Sequence, residues 1–368
     1  MSHKENSGIV YQGNLYRLKK LMKLAKQGGE FTIGFIGGSI TQGSLATAPT
    51  KCYAYLVYEW WTKTFPQSKF HYVNGGIGAT NSLYGAARAW RDVLVYRPDF
   101  VVVDFSVNDE FTSFFQETYE GVIRKVYAAE KSPAVLVLNN VFYDTGVNAQ
   151  DYHNEIAKYY QIPCVSMKES LYAQIIQGTL ERSLMTQDNL HPNDKGHALL
   201  AEELTALLEA VYQDLDIEDI KALYPKQPFT ANRYENAKLY QIQNSVPILD
   251  GFHVDTREKT GMLDLYKNGW IGGKRGDSIT FKINASVISI QYLKSITKPR
   301  PVAEAIIDGD KEHAVKLDAN FEETWGDCLY LQNVWNKDKK EMHEVEIKII
   351  ESHEDDKGFF YLVSLITD

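Results

Sequence analysis

Between residues 31 and 213 of this 368-residue chain, short runs rich in β-branched and aromatic residues alternate with longer stretches of helical period, and few architectures absorb that alternation. A strand that is apolar on both faces must be covered on both. Helices placed between such strands supply the cover, so the pattern predicts βαβ units around a buried parallel sheet. The strand candidates are residues 32–36, 70–74, 100–105, 135–139 and 162–166, and the helical candidates are 53–64, 82–95, 118–129, 151–160 and 195–212. A three-layer α/β/α domain over residues 31–213 is the expectation, with residues 1–30 as a helical extension packed on it.

After Tyr212 the pattern changes. Residues 214–245 begin acidic and become rich in Pro, Asn, Gln and Tyr without a sustained period, which reads as a linker. Residues 246–368 carry runs at 278–283, 287–293, 303–307, 329–334, 344–350 and 359–366, separated by turn signals such as Asp308-Gly309 and Asn336-Lys337-Asp338. Short strands at that spacing predict a C-terminal β-sandwich of jelly-roll type.

Charge and cysteine usage narrow the function classes. A formal net charge of -9 argues against nucleic acid as a partner, because phosphate binding depends on clustered Lys and Arg. No run of about 18 apolar residues is available to span a bilayer, and the amphipathic RLKKLMKLAK stretch beginning at Arg17 reads as the charged outer face of a docked helix. Cys52, Cys164 and Cys328 are odd in number and far apart, which gives neither a disulfide framework nor a metal-ligand spacing. With an N-terminus that lacks the apolar core of a signal peptide, the expected location is cytoplasmic. A homodimer is left open.

Chemistry-bearing residues fall at corresponding places in successive units. The first strand runs into Gly37-Gly38-Ser39-Ile40-Thr41, which puts a serine at the carboxyl end of a parallel strand, where open α/β sheets hold their ligands. The second strand runs into Asn74-Gly75-Gly76-Ile77-Gly78, and the third into Ser106-Val107-Asn108; a glycine N–H and an asparagine amide there can face a developing oxyanion. Just before the last helix stands Asp188-Asn189-Leu190-His191, close enough in sequence for the carboxylate to hold the ring of its own histidine. Each block has a bland reading as a turn or a surface residue. Their ordered conjunction does not. His197, six residues beyond His191, has the wrong spacing for a zinc motif and reads as a helix-face residue; Asp109-Glu110 are adjacent and face apart; Asp104 reads as a satisfied buried carboxylate.

That ordered set resembles the four blocks of the SGNH or GDSL hydrolase superfamily, a flavodoxin-like α/β/α fold. The resemblance covers about residues 31–213, half the chain. It implies an ester hydrolase in which Ser39 is the nucleophile, His191 the general base and Asp188 its orienting partner. The backbone N–H groups of Ser39 and Gly78 and the side chain of Asn108 would form the oxyanion hole. No metal or organic cofactor is required. Two positions depart from the family pattern: Gly38 stands where aspartate is usual, and Ser106 where glycine is usual. The first variant is common among relatives that act on carbohydrate esters.

The segment after Ser39 is small and polar, which suits a short acyl group on a hydrophilic alcohol. Trp270 and Trp325 offer flat faces for a sugar ring, with Trp325 the better placed for an exposed loop reaching the active site, and Trp335 reading as core. The two-domain order resembles bacterial carbohydrate O-acetylesterases of the acetyl-mannan type. The implied partner is an acetylated, plant-type oligosaccharide, manno-oligosaccharides being favoured. A simple acyl ester or thioester, and a non-catalytic carbohydrate-binding protein, are the rival expectations.

Overall fold

The computed structural model describes residues 8–215, 220–221 and 224–368; parts of the expected N-terminal extension and linker lie outside them. The chain divides into two compact units, 1–235 and 236–368. The first contains β1 (Ile9–Tyr11), α1 (Tyr16–Gln27), β2 (Glu30–Gly37), α2 (Ser39–Gln42), α3 (Tyr53–Thr64), β3 (Lys69–Gly76), α4 (Ser82–Asp92), β4 (Phe100–Asp104), α5 (Ser113–Tyr127), β5 (Ala134–Asn139), α6 (Gln150–Tyr159), β6 (Cys164–Ser166), α7 (Ala173–Ile176) and α8 (Asp194–Gln213).

Five of these strands form the expected parallel sheet, in the order β6-β5-β4-β2-β3, and β1 adds an antiparallel edge beside β6. β1 was not foreseen. Counting only the parallel strands, the chain starts at β2, one strand in from the edge, steps to β3 on one side, then crosses to β4 on the other. The carboxyl end of β2 therefore lies at the point where the strand order reverses, the crevice in which doubly wound sheets place their ligands. β4 and β5 are buried along their whole length, as strands covered on both faces must be. α3 packs on α8, and α4, α5 and α6 pack in sequence. Leu204, Leu207 and Leu208 of α8 join Val57 and Trp61 of α3 in one core with Ile33, Phe35 and Val102 of the sheet.

The stretch expected to be a linker is structured at both ends. Glu120 of α5 accepts from the backbone N–H groups of Phe229 (2.6 Å) and Thr230 (2.7 Å), and Arg233 pairs with Glu117 at 3.0 Å, so the described part up to Glu235 belongs to the first unit. Beyond it, β7 (Lys238–Tyr240) is a strand of the second unit.

The second unit continues with β8 (Ile248–Asp250), β9 (His253–Val254), β10 (Trp270–Gly272), β11 (Ser278–Lys294), β12 (Val302–Ile307), β13 (Asp310–Asp318), β14 (Cys328–Glu351) and β15 (Phe360–Thr367). They form one antiparallel sheet around a single core that includes Ile283, Ile290, Leu317 and Leu362. Two pairs of runs read as separate strands are each one long strand. In β11 the runs 278–283 and 287–293 are continuous across Ser286, and β14 runs through the Asn336-Lys337-Asp338 turn signal. That signal marks a break in register instead. Ala285 and Val287 pair with Glu341 and Asn336, so residues 337–340 stand opposite Ser286 alone. The Asp368 carboxylate accepts from the N–H groups of Ser286 (2.8 Å) and Val287 (3.0 Å) at this bulge. Asp308-Gly309 makes the expected tight turn between β12 and β13, with φ of 53° and 75°.

Candidate active site

Ser39 opens α2 directly after β2, so its N–H is one of the first-turn donors for which a helix has no acceptor of its own. Its Oγ lies 2.7 Å from Nε2 of His191. Nδ1 of the same ring lies 2.6 Å from Oδ2 of Asp188, and the other carboxylate oxygen accepts from the backbone N–H groups of Leu190 (3.0 Å) and His191 (2.7 Å). Asp188 thus closes a turn over its own histidine, and Asn189 takes the left-handed conformation that turn requires, at φ 68°. Partial burial of Asp188 pushes its pKa up, but the bonds it accepts from His191 and Leu190 outweigh this and leave it below the ordinary value. The carboxylate stays charged, holds Nδ1–H, and leaves Nε2 as the acceptor for the serine proton.

Gly78 and Asn108, the other two expected members of the site, both lie close to the Ser39 turn. A Cβ built on Gly78 would lie 3.7 Å from Cβ of Ser39, and one on Gly38 would lie 2.1 Å from Oδ1 of Asn108. Glycine at 38 lets the Asn108 carboxamide lie close against the Ser39 turn. Ser106, the other departure, is buried; its Oγ donates to the Asn140 carbonyl at 2.9 Å and its own carbonyl accepts from Ala149 N–H at 2.8 Å, tying the Asn108 loop to the β5–α6 connection.

Residues that sequence reasoning passed over hold this rim together. Arg88 of α4 is fully buried, and its guanidinium donates to the carbonyls of Gly75 (2.5 Å) and Gly37 (2.9 Å) while pairing with Asp92 at 3.1 Å. One side chain thereby clamps the ends of β2 and β3. Asn74 adds a second tie, donating to the Thr41 carbonyl at 2.8 Å. The periodicity of α4 marks Arg88 only as a polar residue on a helix, and nothing local shows that its partners are strand ends.

Asp104 is half satisfied. Its Oδ2 accepts from Thr41 Oγ1 (3.1 Å) and Asn140 Nδ2 (2.9 Å), but Oδ1 has no hydrogen-bond partner, which corrects the expectation of a fully paired carboxylate. Burial pushes its pKa up to about 7, against the pull of the Asn140 and Thr41 bonds. Because Thr41 gives its proton to Asp104, the Tyr53 hydroxyl 2.8 Å away is the donor to Thr41. His197 is a bolt: Nδ1 accepts from Tyr53 N–H and Nε2 donates to the Ser44 carbonyl, each at 3.2 Å, and burial lowers its pKa to about 4. Asp109 is buried between Ser82 N–H (2.8 Å) and His153 Nε2 (3.0 Å). Among the described residues no group of three His, Cys, Asp or Glu is placed to hold a metal, and no helix is long and apolar enough to cross a membrane.

The two candidate sugar-binding tryptophans of the second unit differ. Trp325 is 57% exposed, with its ring edge-on to Phe321 at 5.0 Å. Trp270 is 1% exposed and packs against Phe281 at 5.3 Å in the core of the sheet, so its faces are not available to a sugar; β10 turns that side chain inward. Trp335 packs, partly buried, against the same core.

Comparison with known proteins gives a matching family and similar structures. The sequence pattern of the GDSL-like Lipase/Acylhydrolase family matches residues 35–199, the stretch from β2 into α8. Crystal structures of a two-domain esterase (CEX) active on acetylated mannans are similar over both units. One, co-crystallized with mannopentaose, is 48% identical with a TM-score of 0.95, covering 100% of this chain and 98% of that one. The other is 49% identical with a TM-score of 0.96, covering 99% and 97%. The chain belongs to the GDSL-like lipase/acylhydrolase family. No curated protein matches the sequence of this acylhydrolase. Its family pattern ends at residue 199, before the second unit begins, so the likeness of that unit rests on the two esterase structures.

Proposed function

We propose that this acylhydrolase removes O-acetyl groups from acetylated manno-oligosaccharides through an acyl-enzyme on Ser39. The observation that carries the chemistry is the unbroken run of hydrogen bonds from Ser39 Oγ through His191 to Asp188, at 2.7 and 2.6 Å. End-to-end likeness to an esterase active on acetylated mannans supports the substrate class.

In this reading Ser39 Oγ attacks the acetyl carbonyl carbon as its proton passes to His191 Nε2. Negative charge moves to the carbonyl oxygen, where the N–H groups of Ser39 and Gly78 and the amide of Asn108 receive it. His191 then returns the proton to the departing sugar oxygen, leaving the acetyl group on Ser39. Water repeats the sequence with His191 as base, and acetate leaves. Trp325 supplies an exposed aromatic face for the glycan. Ser39→Ala tests the mechanism directly: release of acetate from acetylated manno-oligosaccharides should vanish, and hydrolysis at the wild-type rate would refute it.

A further inference from the structure

The side chain of Gln42 plays no part in the steps above, yet it sits among the groups that do. It lies three residues after Ser39 on α2, one turn on and on the same side of the helix. Its Oε1 accepts the Gly78 N–H at 2.6 Å. A Cβ on Gly78 would lie 3.2 Å from that oxygen and 3.7 Å from Ser39 Cβ, so the carboxamide and the serine flank the same glycine.

The backbones that carry the two groups are held against each other. A Cβ on Gly76 would come within 2.2 Å of the Gln42 nitrogen, so the strand end and the α2 turn touch main chain to main chain. Asn74 holds them there through the Thr41 carbonyl at 2.8 Å and Gly76 N–H at 2.8 Å. Gln42 itself is exposed, so its carboxamide can swing into solvent.

We propose that the Gln42 carbonyl oxygen is a resting-state occupant of the oxyanion hole, which the acyl oxygen of the ester must displace before Gly78 N–H can serve the reaction. The inference rests on the reaction proposed above. A donor that will receive a developing charge is held by a neutral acceptor of the same geometry until substrate arrives. Every ester bears the same displacement cost, because the competition is at the acyl oxygen and not at the alcohol.

The test compares Gln42→Ala and Gln42→Met, which remove the acceptor, with Gln42→Glu, which keeps an acceptor and adds a charge. The readouts are the inhibition constant of methylboronic acid, which forms a tetrahedral adduct on a reactive serine, and KM for 4-nitrophenyl acetate and for an acetylated manno-oligosaccharide. Ala and Met should tighten the boronic acid and lower KM by about two- to tenfold, by the same factor on both substrates, the worth of one hydrogen bond. Glu should weaken the boronic acid by more than about tenfold, since a carboxylate faces the forming oxyanion. Weaker or unchanged boronic acid binding in the Ala and Met variants would overturn the inference, making Gln42 a brace or a donor. A change confined to the oligosaccharide would also overturn it, making Gln42 a sugar contact. If wild-type protein neither hydrolysed acetyl esters nor bound the boronic acid, the reaction itself would be wrong, which is a separate result read before any variant.

Discussion

Asn108 and Asp188 are held in different ways, and the difference shows what each contributes. Asp188 grips its histidine with one oxygen and its own turn with the other, so orientation of the imidazole is built into four consecutive residues. Asn108 is placed by the close approach of Gly38 and by a loop tied down through Ser106. Asn108→Ala should lower kcat on acetyl esters by roughly 10²–10³, the scale of one lost oxyanion donor, with the fold intact by circular dichroism. A loss of less than about threefold would remove Asn108 from the oxyanion hole. Residues of this kind were legible because each sits in a short block whose chemistry demands its type: a nucleophile after a strand, a DxxH before a helix. Gln42 was not legible, because its partner Gly78 lies 36 positions away and only folding brings them together.

Among the elements, the strand ends and the helices behind them hold such a site together. Arg88 brings a fully buried guanidinium from α4 to two strand-end carbonyls, balanced by Asp92. Arg88→Met should cost the Gly75 and Gly37 carbonyls their guanidinium partner, while Asp92 keeps Arg91 and Gly37 keeps Ile77 N–H, and destabilise the protein by about 1–3 kcal/mol, measured by urea unfolding. Asp104 adds a dependence on pH. An aspartate ordinarily ionises near 3.8, and burial moves Asp104 up to about 7, so between these values the folded protein holds a proton that the unfolded chain gives up. Its stabilising contribution is therefore complete below about pH 4 and is lost as the pH rises to about 7. The melting temperature of Asp104→Asn minus that of wild type should climb across this window and then level; a flat difference would mean that Asp104 ionises normally. Element positions in the first unit followed from periodicity, and α3 was expected at 53–64, where it lies. β1 escaped because three residues are too few to carry a periodic signal, and pairing with β6 makes them a strand.

For the molecule as a whole, the division into two units was visible as a change in pattern near residue 214, while the boundary falls at 235 because the intervening stretch binds Glu117 and Glu120 of α5. Side-chain burial in the second unit was the least readable feature, since a tryptophan in a strand looks alike whether it faces core or solvent. Trp325→Ala should raise KM on acetylated oligosaccharides about five- to thirtyfold, and more than on 4-nitrophenyl acetate; equal effects on both would argue against a role in holding glycan. Trp270→Ala should instead open a cavity beside Phe281 and cost about 3–5 kcal/mol, seen as earlier melting of the second unit. That melting has a further character, set by the two long strands. β11 and β14 pair with each other along almost their whole length between β12 and β15, and Asp368 rivets the larger of the two places where their ladder slips. So long a shared ladder couples the strands on either side of it, and heat should take this unit apart in a single all-or-none event.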